Sequence, residues 1–175
     1  MRYNGIIRRT MFFLIAAALI AAGLCGALYA EEIDFKTPPM KDRPDGFAGL
    51  KWGDSADKLE DYIMFSESAS GGPAQYVIPG DGREWEGFVI DEMKFSFRKN
   101  QLVMVRLSFT ESVKSDEIKE YALKKYSKPS LESKRDDGVS YVWNDDDFGV
   151  ILTLHPQKNP EISLMNHRLA LELSI

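Results

Sequence analysis

The sequence of 175 residues lacks the features that most directly identify an activity. It contains one cysteine and two histidines, and no catalytic or cofactor-binding motif stands out in it. Its 44% of hydrophobic and 28% of charged residues exclude collagen-like, disordered, disulfide-rich and multi-pass membrane proteins, because each of these would distort the two fractions. The sequence therefore predicts a single globular domain and gives no reason to expect a cofactor.

The one long apolar run lies at the N-terminus. Residues 1–10 carry three arginines and no acid, and residues 11–30 are 20 uncharged residues rich in alanine and leucine. This order is typical of a secretory signal, with cleavage expected after Ala30. Since 20 such residues can also span a bilayer, a retained inner-membrane anchor stays open as the alternative. Both interpretations place the folded part outside the cytoplasm, in the periplasm or secreted.

The remaining chain is acidic and free of cysteine. Loss of residues 1–30 removes three arginines, no acid and Cys25, which leaves 19 basic against 27 acidic residues. This charge disfavours nucleic acid as a partner, and a membrane is expected only through residues 11–30 if they are retained. Lipid attachment at Cys25 is not expected, because Leu24 stands where a lipoprotein signal has a small residue.

The pattern of hydrophobic residues predicts two helices and a series of strands. Residues 31–46 hold three prolines and no periodicity, which indicates an extended lead-in to a domain over 47–175. Helices are expected at 55–64, capped by Asp54, and at 116–127. Strands are expected at Gln75–Ile78, 87–98, 101–110, Val139–Trp143, Val150–Leu154, Ile162–Met165 and Leu169–Ser174.

This order of elements favours the α+β class. We expect a single antiparallel sheet of about six to seven strands, in the order α-β-β-β-α-β-β-β, with two helices packed on one face. A parallel sheet would need a helix between successive strands, and none is predicted there. Several residues at element boundaries are expected to have structural roles: Trp52, Gly53, Asp54, Tyr126, Pro129 and Trp143.

Four short segments carry a resemblance to known proteins: FAGLKWGDS at 47–55, Leu102-Val103, LKKYSKP at 123–129 and YVW at 141–143. They resemble a group of uncharacterised secreted bacterial proteins in which a Trp-Gly motif opens the domain and a Tyr-Gly-x-Pro motif closes the second helix. The sequence is also distantly similar to envelope domains related to β-lactamase-inhibitor protein and the OmlA-type assembly lipoproteins. The resemblance implies helices on an antiparallel sheet and a role in binding other proteins. Ser127 stands where the glycine is expected, and Cys25 does not match the lipoprotein cysteine.

Patterns that suggest metal or catalytic sites have simpler explanations. A hairpin register that places His155 opposite Glu161 separates it from His167 by roughly 20 Å, too far for one metal ion. The acidic run 144–149 is expected to be a turn, since strands flank it, with weak calcium binding left as the alternative. Ser55 begins a Ser-x-x-Lys match, but the partner motifs of such enzymes are absent from the sequence.

Two glycine-containing loops are the predicted contact region. The loop 66–73 contains Gly71 and Gly72, and the loop 80–86 contains Arg83 near Trp85. An exposed aromatic residue with an arginine nearby is typical of binding hot spots. The sequence thus predicts a non-enzymatic binding protein of the bacterial envelope that contacts another envelope protein or a small apolar ligand. The alternative is a small envelope hydrolase that uses two carboxyl groups as acid and base.

Overall fold

A computed structural model of the chain describes residues 40, 42–59, 63–66 and 73–174, with residues 63–66 described by their backbone. The predicted signal at 1–30, most of the lead-in and the pair Gly71–Gly72 lie outside the described residues. Within the described ranges, no helix combines the length and the apolar character needed to cross a membrane.

The described residues form eleven strands and two α-helices. A 3-10 turn, Ala56–Lys58, precedes the third strand. The helices are α1 (Ser115–Tyr126) and α2 (His167–Glu172). The strands are β1 (Gly46–Phe47), β2 (Leu50–Lys51), β3 (Ile63–Ser66), β4 (Ala74–Pro79), β5 (Glu84–Trp85), β6 (Phe88–Arg98), β7 (Gln101–Phe109), β8 (Leu131–Arg135), β9 (Gly138–Asn144), β10 (Phe148–Leu154) and β11 (Glu161–Asn166).

The strands pair into one large antiparallel sheet and one small ribbon. Eight strands follow the order β3-β4-β6-β7-β11-β10-β9-β8, β5 pairs with β6 beside this path, and β1 pairs with β2 separately. The α+β class is therefore confirmed. The predicted number of six to seven strands in the sheet is wrong, because β3, β5 and β8 were not predicted. β8 is an exposed edge strand with the sequence LESKR, in which no alternation of apolar residues marks a strand.

The hairpin of β6 and β7 provides the centre of the hydrophobic core, and its prediction is confirmed. Alternate residues of both strands are fully buried, and α1 packs Ile118 and Ala122 against the same face of the sheet. The turn uses Lys99 and Asn100, both with positive φ, as a two-residue hairpin requires. The buried residues of the four central strands include Met93, Phe95, Phe97, Val105, Leu107, Phe109, Val150, Leu152, Ile162 and Leu164.

The helix predicted at 55–64 is wrong. Of its described residues, 56–58 form the 3-10 turn, Leu59 is extended, and Ile63 and Met64 belong to β3, which pairs with β4. Ser55, and not Asp54, caps the turn, because its side chain accepts a hydrogen bond from the backbone of Asp57. Sheet pairing thus overrides the helical spacing of apolar residues in this segment.

The strand predicted at Leu169–Ser174 is also wrong, because this segment contributes to α2. Asn166 caps the helix, and its Oδ1 accepts a hydrogen bond of 2.9 Å from the backbone N–H of Leu169. Residues 169–172, with the sequence LALE, are strong helix formers. The cap and these propensities outweigh the period-two alternation on which the strand prediction depends.

The two helices lie on opposite faces of the sheet, which corrects the prediction of two helices on one face. α1 covers the apolar face. Gly149 and Met165 are paired partners in β10 and β11, so their side-chain positions share the other face. A Cβ atom on Gly149 would collide with Nε2 of His167. The first residue of α2 therefore covers this second face.

The C-terminal end of α1 is joined to β9 through Trp143. The rings of Tyr126 and Trp143 lie 5.9 Å apart, and Nε1 of Trp143 donates a hydrogen bond of 3.0 Å to the carbonyl of Ser127. Ser127 ends the helix with φ 68° and ψ −146°, a conformation that strains a residue with a side chain. Pro129 follows, and the backbone N–H of Ser130 then donates to Val142.

Replacement of Ser127 by glycine is expected to raise the free energy of unfolding by about 1 kcal/mol, because glycine adopts positive φ without strain. The hydrogen bond to Trp143 uses the main chain and is kept. Urea unfolding at equilibrium measures the change. Lys128→Gly is the matched control at a position without positive φ, where glycine is expected to lower stability. A Ser127→Gly protein no more stable than the wild type would contradict the strain.

Candidate functional site

Trp85 belongs to an aromatic cluster between the sheet and α1. Its ring centroid lies 5.5 Å from that of Tyr121 and 6.1 Å from that of Phe109. Lys125 places its Nζ 5.5 Å from the Trp85 ring and forms an ion pair with Glu86. Burial raises the pKa of Tyr121, so its hydroxyl stays protonated. Trp85 is half-buried, and these contacts use much of its surface inside the domain.

Arg83 is exposed and is held over its own turn. Its Nη1 donates a hydrogen bond of 3.1 Å to the carbonyl of Pro79, and its carbonyl accepts from the backbone N–H of Ile90. Arg83 and Trp85 thus lie at one end of the sheet, while Gly71 and Gly72 lie outside the described residues. The idea that these four residues form one contact surface stays a prediction.

The Trp-Gly segment attaches the start of the domain to the sheet. Nε1 of Trp52 donates a hydrogen bond of 2.7 Å to the carbonyl of Pro44, and its ring lies 5.6 Å from that of Phe148. Gly53, with φ 88°, donates its N–H to the carbonyl of Leu102 at 3.0 Å. The carbonyl of Asp54 accepts from Leu102 in return, at 2.9 Å. These contacts give the segment a structural role.

Asp145 is the most densely hydrogen-bonded side chain in the turn at 144–149. Its Oδ2 accepts from the backbone of Met40 at 3.1 Å and from Nε and Nη2 of Arg43 at 3.1 and 2.7 Å. Its Oδ1 accepts from the backbone N–H groups of Asp147 and Phe148, both at 2.9 Å. Burial acts to raise the pKa of Asp145, but these hydrogen bonds outweigh it and lower the pKa.

The same contacts explain why the acidic run forms a turn. The side chain of Asp145 is 4% exposed, and both of its carboxylate oxygens accept hydrogen bonds from donors within the protein. Asp147 accepts a further hydrogen bond of 3.0 Å from Arg43. Across the described part of the chain, no group of three or more histidine, aspartate or glutamate side chains is placed to hold a metal ion. The run therefore fastens the end of the lead-in to the turn between β9 and β10.

The two histidines lie on different parts of the sheet. The expected register is wrong by two residues, since Glu161 pairs with Thr153 and not with His155. A shift of two keeps every side chain on its face, so the strand pattern alone could not detect it. His167 lies over Gly149, and burial lowers its pKa.

A polar groove of about 230 Å³ crosses the face of the sheet opposite to the core. We use the name polar groove for this feature. Five adjacent strands, β7, β11, β10, β9 and β8, contribute to it. Cross-strand pairing places Ser140 opposite Thr153, and Thr153 opposite Glu161, along its length. Its main polar side chains are Arg106, Arg135, His155, Glu161, Ser140 and Ser163.

The sequence predictions missed the polar groove. Its residues come from five strands, and Arg106 is 57 residues from Ser163, with which its Nε makes a hydrogen bond of 3.3 Å. Each is an ordinary polar residue at an outward position of a strand. The alternation of apolar and polar residues along each strand is the one sequence signal for these positions. It shows that they face solvent but does not show that they lie next to one another.

Comparisons with known proteins add little. No family model matches the chain, and no curated protein matches it significantly. Among solved structures it is similar to a DUF4309 family protein (YjgB) from Bacillus subtilis, with 12% sequence identity and a TM-score of 0.33. The match covers 61% of this chain and 65% of the length of that chain. A likeness this weak carries no argument, and the resemblance to β-lactamase-inhibitor protein stays a prediction.

Removal of the Arg43 side chain is expected to lower the free energy of unfolding by about 2 kcal/mol, because it leaves the buried carboxylate of Asp145 with fewer donors. Urea unfolding of Arg43→Ala measures this. Arg83→Ala is the matched control, since Arg83 is exposed and bonds to one carbonyl, and a change within about 0.5 kcal/mol is expected there. Equal effects of the two substitutions would contradict the importance of the Asp145 contacts.

Proposed function

We propose that this protein is a non-enzymatic binding domain that acts outside the cytoplasm, and that the polar groove is its contact surface. One observation carries the proposal. Within the described residues, the side chain of Arg135 has no hydrogen-bond or ion-pair partner, and Arg106 uses its Nε but neither Nη group as a hydrogen-bond donor. Such donors on an open sheet face are suited to a ligand that supplies the missing acceptors.

The sequence supports a location in the envelope. The basic and apolar segment at 1–30 is typical of an export signal, and its loss leaves a chain without cysteine. A chain without cysteine folds in an oxidising compartment without forming or risking disulfides. The described core of aromatic and aliphatic side chains provides the stability instead.

A small hydrolase is the second candidate, and one observation favours it. The polar groove contains two carboxyl groups, those of Asp137 and Glu161. An acid and base pair needs one carboxyl that burial or a like charge keeps protonated. Asp137 is exposed, and Glu161 lies 4.0 Å from the guanidinium of Arg106, so the surroundings of both favour binding over catalysis.

Site-specific photo-crosslinking in intact cells tests the proposed surface. A photoreactive residue in place of Asp137, at the exposed rim of the polar groove, is expected to give an adduct with a second protein. The same residue in place of Leu123, which is 36% exposed on α1 on the other side of the sheet, is the matched control and should give none. Adducts are detected by their shift on denaturing gels.

A third position separates the competing surfaces. If only a photoreactive residue at Arg83 gives an adduct, the contact surface is the hairpin end predicted from the sequence, and the groove assignment is wrong. If none of the three positions gives an adduct, the binding role fails. Turnover of a generic ester, phosphate or glycoside that Glu161→Gln abolishes would establish the hydrolase instead.

A further inference from the structure

The guanidinium of Arg106 is oriented to receive a carboxylate. Ser163, its cross-strand partner in β11, accepts from Nε at 3.3 Å and so restrains the guanidinium. Glu161 lies 4.0 Å from the same Nε, which is too far for a hydrogen bond. Nη1 and Nη2 donate to no described residue, and the side chain is 42% exposed. Two parallel N–H groups of this kind bind a carboxylate in bidentate fashion.

The opposite end of the polar groove carries a second arginine, Arg135. Arg135 ends the edge strand β8, is exposed, and forms no ion pair with a described residue. The strand order separates β8 from β7 by four steps, which corresponds to about 19 Å at roughly 4.8 Å per step. The register places Leu131 across from Arg106, so Arg135 lies four residues, or about 13 Å, further along its strand. The two arginines are thus about 23 Å apart along the sheet, a distance that an extended peptide covers in about seven residues.

The middle of the polar groove supplies neutral hydrogen-bonding groups. The hydroxyls of Ser140 and Thr153 lie 3.3 Å apart on its floor. Nδ1 of His155 lies 3.0 Å from the carbonyl of Asp137, and because a carbonyl only accepts, Nδ1 carries the proton. Nε2 is then the ring nitrogen left to contact a ligand. These donors and acceptors match the N–H and C=O groups of a peptide backbone.

The composition of the polar groove argues against other classes of ligand. None of its described lining residues is a phenylalanine, tyrosine or tryptophan, so a sugar ring or an apolar ligand lacks the large aromatic surfaces on which such ligands pack. The carboxylates of Glu161 and Asp137 would repel a nucleic acid, which carries a charge at every phosphate. A ligand with just two separated negative charges places one at each arginine, and Glu161 beside Arg106 opposes only the first of them.

We propose that the polar groove binds an extended acidic peptide segment of a partner protein. One carboxylate of the segment lies at Arg106, and a second, about seven residues along, lies at Arg135. The inference rests on the proposed function, since it names the chemistry of the partner at the same surface.

Fluorescence anisotropy with synthetic peptides tests the inference on the purified protein. The probe is a labelled peptide with two glutamates separated by six glycine and serine residues, and its control replaces both glutamates by glutamine. We expect the glutamate peptide to bind about ten-fold more tightly, and Arg106→Gln or Arg135→Gln to remove about that factor. Arg83→Gln is the matched control outside the groove and should leave the affinity unchanged.

A substitution with the opposite sign sharpens the test. Glu161→Gln removes a negative charge beside Arg106 that repels the peptide's glutamate, and it is expected to tighten binding of the glutamate peptide. Equal affinities of the two peptides, an unchanged affinity in Arg106→Gln, or no binding of either peptide would overturn the inference. If the peptide test fails but a photoreactive residue at position 137 still gives an adduct, the proposed function stands and only the acidic-peptide inference is overturned. If position 137 gives no adduct, the assignment of the polar groove and the acidic-peptide inference both fail.

Discussion

The alternation of side chains along the central strands is the constraint on which the rest of the structure depends. In β7, Val105 and Leu107 are fully buried while Arg106 between them faces the polar groove. In β11, Ile162 and Leu164 are buried while Ser163 faces the groove. Core and candidate site are therefore two sides of the same strands, and a register shift of one residue would destroy both.

The parts of the fold that the sequence predicts well are those with strong local signals. β6 and β7 combine long alternation with Asn100, which tolerates its positive φ of 61°, and both strands were found within one or two residues. β8 escaped prediction because an exposed edge strand needs no apolar residues. The segment that ends in β3 was predicted as a helix, but pairing with β4 makes it a strand. The segment from Leu169 was predicted as a strand, but the cap by Asn166 makes it a helix. In both cases the deciding contact lies outside the segment whose pattern was used.

The candidate site depends on contacts that no local pattern contains. Arg43 reaches Asp145 across 102 residues, and Arg106 reaches Ser163 across 57. In the sequence, Arg43 belongs to a charged lead-in and Asp145 to an acidic turn. Arg106 and Ser163 occupy two solvent-facing strand positions. The sequence identified the turn at 144–149 by its composition, but the partners that bury Asp145 follow from the topology of the sheet. The same topology gathers five strands into one groove.

Thiol labelling of paired cysteine variants tests this two-sided sheet most directly. Cys25 is the one cysteine in the sequence, so Ser163→Cys and Leu164→Cys in a Cys25→Ser background each present a single thiol. The two positions are adjacent in β11 and face opposite sides. The account predicts that a polar maleimide labels position 163 in the folded protein and labels position 164 after unfolding. Rapid labelling of position 164 in the folded protein, with position 163 protected, would contradict it.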